Sequence, residues 1–404
     1  MGIVRFALVA ILLVLLIKRR LDLGLSLMIA AVALGLMYAM GIEKLAVVSY
    51  TSTINTEALE VIAAVVMIVF LSELMKKKGK IKKMVDSLRI LLGDPRGVVV
   101  LVPAIIGFLP IIGGAMISAP MVQQASDELA ITPERKTFLN YWFRHIWEYI
   151  FPTYPGVILS AAILGVGIST VAQANLPLTL AAVASGLFFG FRGIGYAGDG
   201  RRHLSRAIFL DFFLGGLPIF VVIFAVLVFK TDLALTLILV FLISVLVYRA
   251  RPREVVTIVK ENFSFSYVTI VLGVLAFKGV LEATGAVAEI SGELASLGIP
   301  SFIVLMILPF IIAMSTGMTM AFVGITFPIL MPYFVTGDFP MIAFMLAYAG
   351  GYAGIMLSPV HLCLVLTAQY FKADLGKLYR LLFAPVFSVL IMALGAYLVL
   401  NYLI

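Results

Sequence analysis

Of the 404 residues, 63% are hydrophobic and only 12% charged, a balance that excludes a soluble globular domain. Lys and Arg outnumber Asp and Glu by 29 to 21, but a basic surplus held in short loops between apolar runs reflects membrane topology rather than nucleic-acid binding. The lone cysteine, Cys363, excludes a disulfide framework or a cysteine-only metal site within one chain.

The chain opens MGIVRFALVAILLVLLIKRR, with its heavier charge after the apolar stretch and no small-residue cleavage site. It reads as a retained first helix rather than a secretion signal. Helices are expected near 3–17, 22–40 and 57–75. Lys18, Arg19 and Arg20 then face the cytoplasm, as does the loop KKKGKIKKMVDSLRILLGDPR with its eight Lys or Arg. The run KKKGKIKK suits the anionic leaflet surface. The next basic segment, residues 192–206 with Arg192, Arg201, Arg202 and Arg206, belongs on the same side.

Between these two basic segments lie three apolar runs, 97–126, 138–168 and 176–191. Three full crossings would place the four arginines outside, so one run must enter and leave on the same side. The run 97–126 is too short for two full spans and contains the stretch GFLPIIGGAMISAP, residues 107–120. A re-entrant hairpin over 97–127, turning at Pro110 to Gly114, satisfies the parity and accounts for the helix breakers. Non-helical backbone at membrane depth requires protein or a watery cavity around it.

The second half is expected as helices at 207–229, 232–249 and 265–283, a hairpin at 299–333, a broken span at 340–370 and a last helix at 381–403. MSTGMTMAFVGITFP, residues 314–328, plays the part of the earlier hairpin stretch. Aligning Pro120 with Pro328 and Pro152 with Pro359 gives nearly equal offsets. Counting crossings gives the two halves opposite orientation. The expected organisation is therefore an all-α polytopic membrane protein of about ten transmembrane helices, two re-entrant hairpins and two Pro-broken helices, arranged as two inverted-topology repeats. The first repeat spans 1–192 and the second 207–404, with a cytoplasmic linker at 193–206. Both termini lie outside a prokaryotic cytoplasmic membrane. Such repeats with discontinuous helices are the architecture of secondary transporters.

Two hairpins, each followed by a Pro-broken helix, resemble the ion transporter superfamily of gluconate permeases, dicarboxylate symporters and arsenite efflux proteins. GFLPIIGGAMISAP, RHIWEYIFPTYPG and LSPVHLCL together resemble an integral membrane family known as domain of unknown function 401. The resemblance implies elevator-type alternating access and a homodimer. One departure is clear: sodium-coupled dicarboxylate carriers resemble one another in a Ser-Asn-Thr triplet at each hairpin tip, where this chain has Ile-Gly-Gly (112–114) and Ser-Thr-Gly (315–317).

Helix N-termini at the breaks carry partial positive charge and suit anions. At the first tip Gly113 and Gly114 permit close backbone approach and Ser118 adds a hydroxyl. At the second, Ser315, Thr316 and Thr319 supply hydroxyls and Gly317 the close approach. Small residues that only let helices pack are the alternative. The richest cluster is FLNYWFRHIWEYIFPTYPG, residues 138–156, where Arg144 and Glu148 stand at i,i+4 and His145 and Glu148 at i,i+3. Two readings stand for it. Arg144 binds a substrate carboxylate while His145 or Glu148 exchanges a proton, or Arg144 and Glu148 form a self-neutralised pair beneath an aromatic belt. Thr153 and Tyr154 beside the first break, and Ser358 and His361 beside the second, complete the substrate-binding candidates. Lys278 is expected to pair with Glu282 one turn on. YAGDGRRH (196–203) lacks the preceding strand and following Lys of a nucleotide-binding loop and reads as linker.

The expected function is a secondary active transporter of a small organic anion, a carboxylate foremost, coupled to protons, with sodium as the alternative coupling ion. A sodium/proton antiporter using Glu148 is the second reading. An intramembrane enzyme is the third, against which stand the missing HExxH, paired Asp and Ser–His dyad. The expected partners are the anion and the lipid bilayer, with no nucleic acid, cofactor, resident metal or catalytic residue.

Overall fold

The computed structural model describes residues 1–110, 114–127, 129, 131–192, 194, 205–335 and 340–402. Among them the chain is helical, with no strand. The first series of helices is α1 (Gly2–Lys18), α2 (Leu23–Met37), α3 (Ile42–Thr53), α4 (Thr56–Lys77), α5 (Lys80–Leu92), α6 (Pro95–Ile106), α7 (Ala115–Asp127), α8 (Pro133–His145), α9 (Pro155–Leu164) and α10 (Ile168–Phe191). The second is α11 (Arg206–Leu227), α12 (Leu233–Val247), α13 (Pro252–Asn262), α14 (Phe265–Ala283), α15 (Ala286–Ser296), α16 (Ser301–Thr316), α17 (Thr319–Val335), α18 (Pro340–Leu357), α19 (Leu362–Phe371) and α20 (Leu375–Tyr402). Among the described residues six helical segments are long and apolar enough to cross a bilayer, and shorter apolar helices accompany them. Large side chains such as Leu8, Ile11, Leu15, Phe213, Leu242 and Ile391 are exposed on helix flanks, the belt expected of a multi-pass membrane protein.

Local chemistry starts and stops these helices. Asp22 and Asp232 accept hydrogen bonds from Leu25 N at 3.1 Å and Leu235 N at 2.7 Å, capping α2 and α12. Asn55 caps α4 through Ala58 N at 2.8 Å. Pro95, Pro133, Pro155 and Pro252 open α6, α8, α9 and α13, where a missing N–H costs nothing. Interior prolines recur at matching places in the two series: Pro103 in α6 and Pro309 in α16, Pro120 in α7 and Pro328 in α17, Pro177 in α10 and Pro385 in α20.

Packing repeats the same correspondence. α2 lies along α14 as α4 lies along α12; α5 meets α11 as α15 meets α1; α9 meets α17 as α19 meets α7; α10 meets α18 as α20 meets α8. Two groups of helices result. One contains α1–α5 with α11–α15, the other α6–α10 with α16–α20. They touch chiefly where α4 meets α9, α5 meets α6, α10 meets α11, and α14 and α15 meet α17. Close approach within the second group relies on Gly350 and Gly354, one turn apart on α18, where a Cβ would collide with the α16 carbonyls of Met306 and Phe310. This is small-residue packing of the kind that joins membrane helices.

Several boundaries differ from expectation. α10 begins at Ile168 rather than 176 and α20 at Leu375 rather than 381, because their first turns run unbroken into the apolar body of each helix. The first broken helix correspondingly ends at Leu164, where Gly165 takes a left-handed conformation. Four short helices, α3, α5, α13 and α15, occupy stretches expected as loops; α5 and α13 carry charge on one face and apolar residues on the other. Most of the linker 193–206 and the turn residues 111–113 lie outside the described residues.

Candidate functional site

The two breaks, between α8 and α9 and between α18 and α19, meet inside the second group of helices. A helix end frees backbone carbonyls, and without water each must find a donor. Here side chains supply them. His145 O accepts from the Tyr352 hydroxyl at 3.0 Å, Ile146 O from Thr179 at 3.1 Å, Glu148 O from Tyr348 at 2.8 Å and Tyr149 O from Asn175 Nδ2 at 3.0 Å. In the other direction the Tyr141 hydroxyl of α8 lies 3.4 Å from Ile355 O and 3.3 Å from Met356 O, at the end of α18. Tyr141 and Tyr348 thus cap each other's broken helix.

Each hairpin is tied to the break of its own half. The Tyr154 hydroxyl donates to Gly107 O at 2.5 Å and Thr153 Oγ1 to Phe108 O at 3.3 Å. In the second half Ser358 Oγ donates to Met314 O at 2.8 Å, and His361 Nδ1 lies 2.9 Å from Gly317 O. Gly317 has φ +65°, and a Cβ there would press on His361 N at 2.9 Å, so both conformation and space call for glycine. Asn140 Nδ2 reaches Ala115 O, at the start of α7, at 3.0 Å.

Three ionisable side chains cluster on α8 and the turn after it. Arg144, His145 and Glu148 are 3%, 1% and 7% exposed. Arg144 Nη1 stands 3.5 Å from Glu148 Oε1, and His145 Nε2 stands 3.7 Å from the same oxygen. His145 Nδ1 lies 2.6 Å from Tyr141 O, and its Nε2 lies 3.2 Å from His361 Nε2. The buried Cys363 completes a cluster of ligand atoms from His145, His361 and Cys363 that all fall within 4.8 Å of one another. Around the second break Pro359, Val360 and Leu362 are exposed and His361 is partly so, which leaves this edge of the cluster open.

The candidates read from sequence distribute unevenly. Arg144, His145, Glu148, Thr153, Tyr154, Thr316, Gly317, Ser358 and His361 lie at or beside the meeting of the breaks and hairpins. Thr319 packs against Gly156 at the start of α9. Gly114 precedes α7, and Ser118 is buried with its hydroxyl on Ala115 O at 3.2 Å. Gly113 lies outside the described residues. Ser315 is exposed and its hydroxyl returns to Ile311 O of its own helix at 2.8 Å, away from the buried cluster. Lys278 does not turn to Glu282: its amine donates to Ile163 O at 2.8 Å, near the carbonyl end of α9 where a cation is favoured.

Sequence reading missed the tyrosines 141, 348 and 352 and Cys363. The offset that pairs Pro152 with Pro359 also pairs Tyr141 with Tyr348, a signal available in the chain itself. A separate cavity of about 490 Å³ opens between the two groups of helices, lined by residues including Glu57, Glu60, Ile158, Thr170, Lys230 and Asp232. None of the predicted site residues lines it.

A family model described as "Protein of unknown function (DUF401)" matches residues 3–400. The comparison with curated proteins finds no match.

Proposed function

The chain belongs to the DUF401 family, and we propose that it is a secondary active transporter of a small organic anion, a carboxylate foremost. The observation that carries this reading is the convergence of two broken helices and two hairpins on one buried spot that holds a cationic side chain, Arg144. Helices α9 and α19 begin at the two breaks, and α7 and α17 begin at the two hairpin tips, so four helix N-termini add partial positive charge nearby. A buried cation beside such ends favours a carboxylate over a neutral or cationic cargo. Its pairing with Glu148 at 3.5 Å is long for a strong ion pair.

In this reading the halves are inverted repeats in the membrane, the hairpins enter from opposite sides, and both termini face outside a prokaryotic cytoplasmic membrane. The matched packing of the two series supports the repeat, and the likeness to the ion transporter superfamily agrees with it. Alternating access is of the elevator type, with α6–α10 and α16–α20 moving against α1–α5 and α11–α15. Support comes from the limited contact between the groups and from the cavity that separates them. Protons are the proposed coupling ion. Neither hairpin tip carries an Asn, and Ser315 is exposed with its hydroxyl turned to Ile311 O, away from the buried cluster, which argues against a sodium site at the second tip.

A thermal-shift screen of the purified protein against small carboxylates, with and without sodium, tests the reading, since a ligand of the native state raises its melting temperature. At least one carboxylate should raise Tm in sodium-free buffer. A screen in which carboxylates have no effect while a neutral or cationic solute stabilises would overturn it.

A further inference from the structure

His145 and His361 come from different halves of the chain, 216 residues apart, yet their Nε2 atoms stand 3.2 Å from each other. Their tautomers follow from what holds the other ring nitrogen. His145 Nδ1 faces the carbonyl of Tyr141 at 2.6 Å and His361 Nδ1 faces that of Gly317 at 2.9 Å. A carbonyl only accepts, so each Nδ1 carries the hydrogen. With both rings neutral the two Nε2 atoms present lone pairs, which repel at this distance unless a proton or a metal cation is shared between them.

We propose that His145 Nε2, His361 Nε2 and Cys363 Sγ form a binding site for a borderline-to-soft transition-metal cation of the Zn²⁺ type. Four features support it. The three ligand atoms lie within 4.8 Å of one another, a span that modest rotamer adjustment brings onto one ion. Two nitrogens bound tetrahedrally at Zn–N distances of 2.0–2.1 Å sit roughly 3.3 Å apart, close to the separation observed here. Each imidazole already donates its other N–H to a backbone carbonyl, which is how metal-bound histidines are oriented. The partly exposed His361 at the open edge of the second break gives an ion a way in.

Charges around the site are nearly balanced. Arg144 opposes a cation, while the Cys363 thiolate formed on binding and the Glu148 carboxylate, 3.7 Å from His145 Nε2, favour it. Tyr141 faces both rings as an uncharged neighbour. Three protein ligands leave one tetrahedral position, which a Glu148 oxygen or an outside donor can fill. The thiolate selects Zn²⁺, Co²⁺ or Cd²⁺ over Mg²⁺ or Ca²⁺. Because one histidine belongs to each half, a bound ion would also link the two breaks. The site stands on its own geometry and does not depend on the cargo being a carboxylate.

Titration of the purified full-length protein with Co²⁺, followed by absorption, tests the site. The expected result is a thiolate-to-cobalt charge-transfer band and tetrahedral ligand-field bands that saturate at one ion per chain and are bleached by Zn²⁺. Cys363→Ser should remove the charge-transfer band, and His361→Ala should weaken Co²⁺ binding at least tenfold, in protein that elutes as a single species. A wild-type protein showing no thiolate band on cobalt addition would overturn the proposal without recourse to any variant. So would Zn²⁺ affinity unchanged in His361→Ala. Neither outcome bears on anion transport, which the carboxylate screen tests separately.

Discussion

Tyr141 and Tyr348 are reciprocal caps: the hydroxyl of each reaches a main-chain carbonyl freed where the other's helix breaks, Tyr348 to Glu148 O at 2.8 Å and Tyr141 to Met356 O at 3.3 Å. Each stands on the helix that precedes its own break, so the two halves of the chain stabilise each other's irregular backbone. Loss of either donor leaves a buried carbonyl short of its partner, at a cost of ~1–3 kcal/mol. Tyr348→Phe, which removes the shorter bond, should lower stability by about 2 kcal/mol, and Tyr141→Phe by less. Denaturation of the detergent-solubilised protein measures both. Equal stability of all three proteins would mean that the caps carry no load.

Gly354 lies where α18 packs tightly on α16, and a Cβ there would meet Phe310 O and the Ala313 side chain. Gly354→Leu cannot be absorbed by rotamer change, because the obstruction is backbone. It should destabilise the second group of helices by at least the ~1–3 kcal/mol typical of overpacking. Gly395→Leu in α20, with open space around its Cβ, is the matched control. Size-exclusion profiles and Tm should separate the two variants.

Asp22 caps α2 and also accepts from α14, from Thr269 Oγ1 at 2.7 Å and from the Ser266 hydroxyl. Burial pushes its carboxyl up, but the hydrogen bonds from Ser266, Thr269 and the α2 backbone outweigh this and hold it below its usual value. A depressed folded-state value means that the contribution to stability is complete above the unfolded value, about 3.9, and is lost as pH falls through the folded one. Asp22→Asn should therefore lower Tm at pH 7, and the gap from wild type should narrow only below about pH 4. A gap that closes between pH 5 and 7 would contradict this account of the clamp.

Arg144 is the cationic side chain at the meeting of the breaks, and its guanidinium is expected to hold a substrate carboxylate. Hydrogen bonds to a charged partner contribute ~1.5–3 kcal/mol. Arg144→Gln should thus weaken carboxylate binding by roughly ten- to a hundredfold, given that about 1.4 kcal/mol is tenfold. Ligand-induced thermal shift of the variant measures the loss. Unchanged affinity in a folded variant would return Arg144 to a purely structural pairing with Glu148.

Much of the fold was legible because hydropathy, charge and proline act locally. The long apolar runs marked α4, α11 and α14 within a few residues, and Pro152 and Pro359 marked the two breaks. The short surface helices were not, since α3 and α13 are too brief and too polar to stand out from loops. In the site, adjacency in sequence misled where helix geometry decides direction. Ser315 and Thr316 are neighbours, but about 100° of helical rotation turns one outward and buries the other. Lys278 and Glu282 had the spacing of a pair, yet packing of α14 near α9 offered Lys278 a carbonyl instead. The closeness of His145 and His361 could not be read from spacing at all, because it depends on how the halves face one another.

The most direct test of the central claim is uptake of radiolabelled small carboxylates into proteoliposomes that contain the purified protein, with an imposed pH gradient and no sodium. At least one carboxylate should accumulate above the level of protein-free liposomes, and that accumulation should collapse when the gradient is dissipated and be lost in Arg144→Gln. Accumulation of no carboxylate under either a proton or a sodium gradient, or equal accumulation by Arg144→Gln, would contradict it.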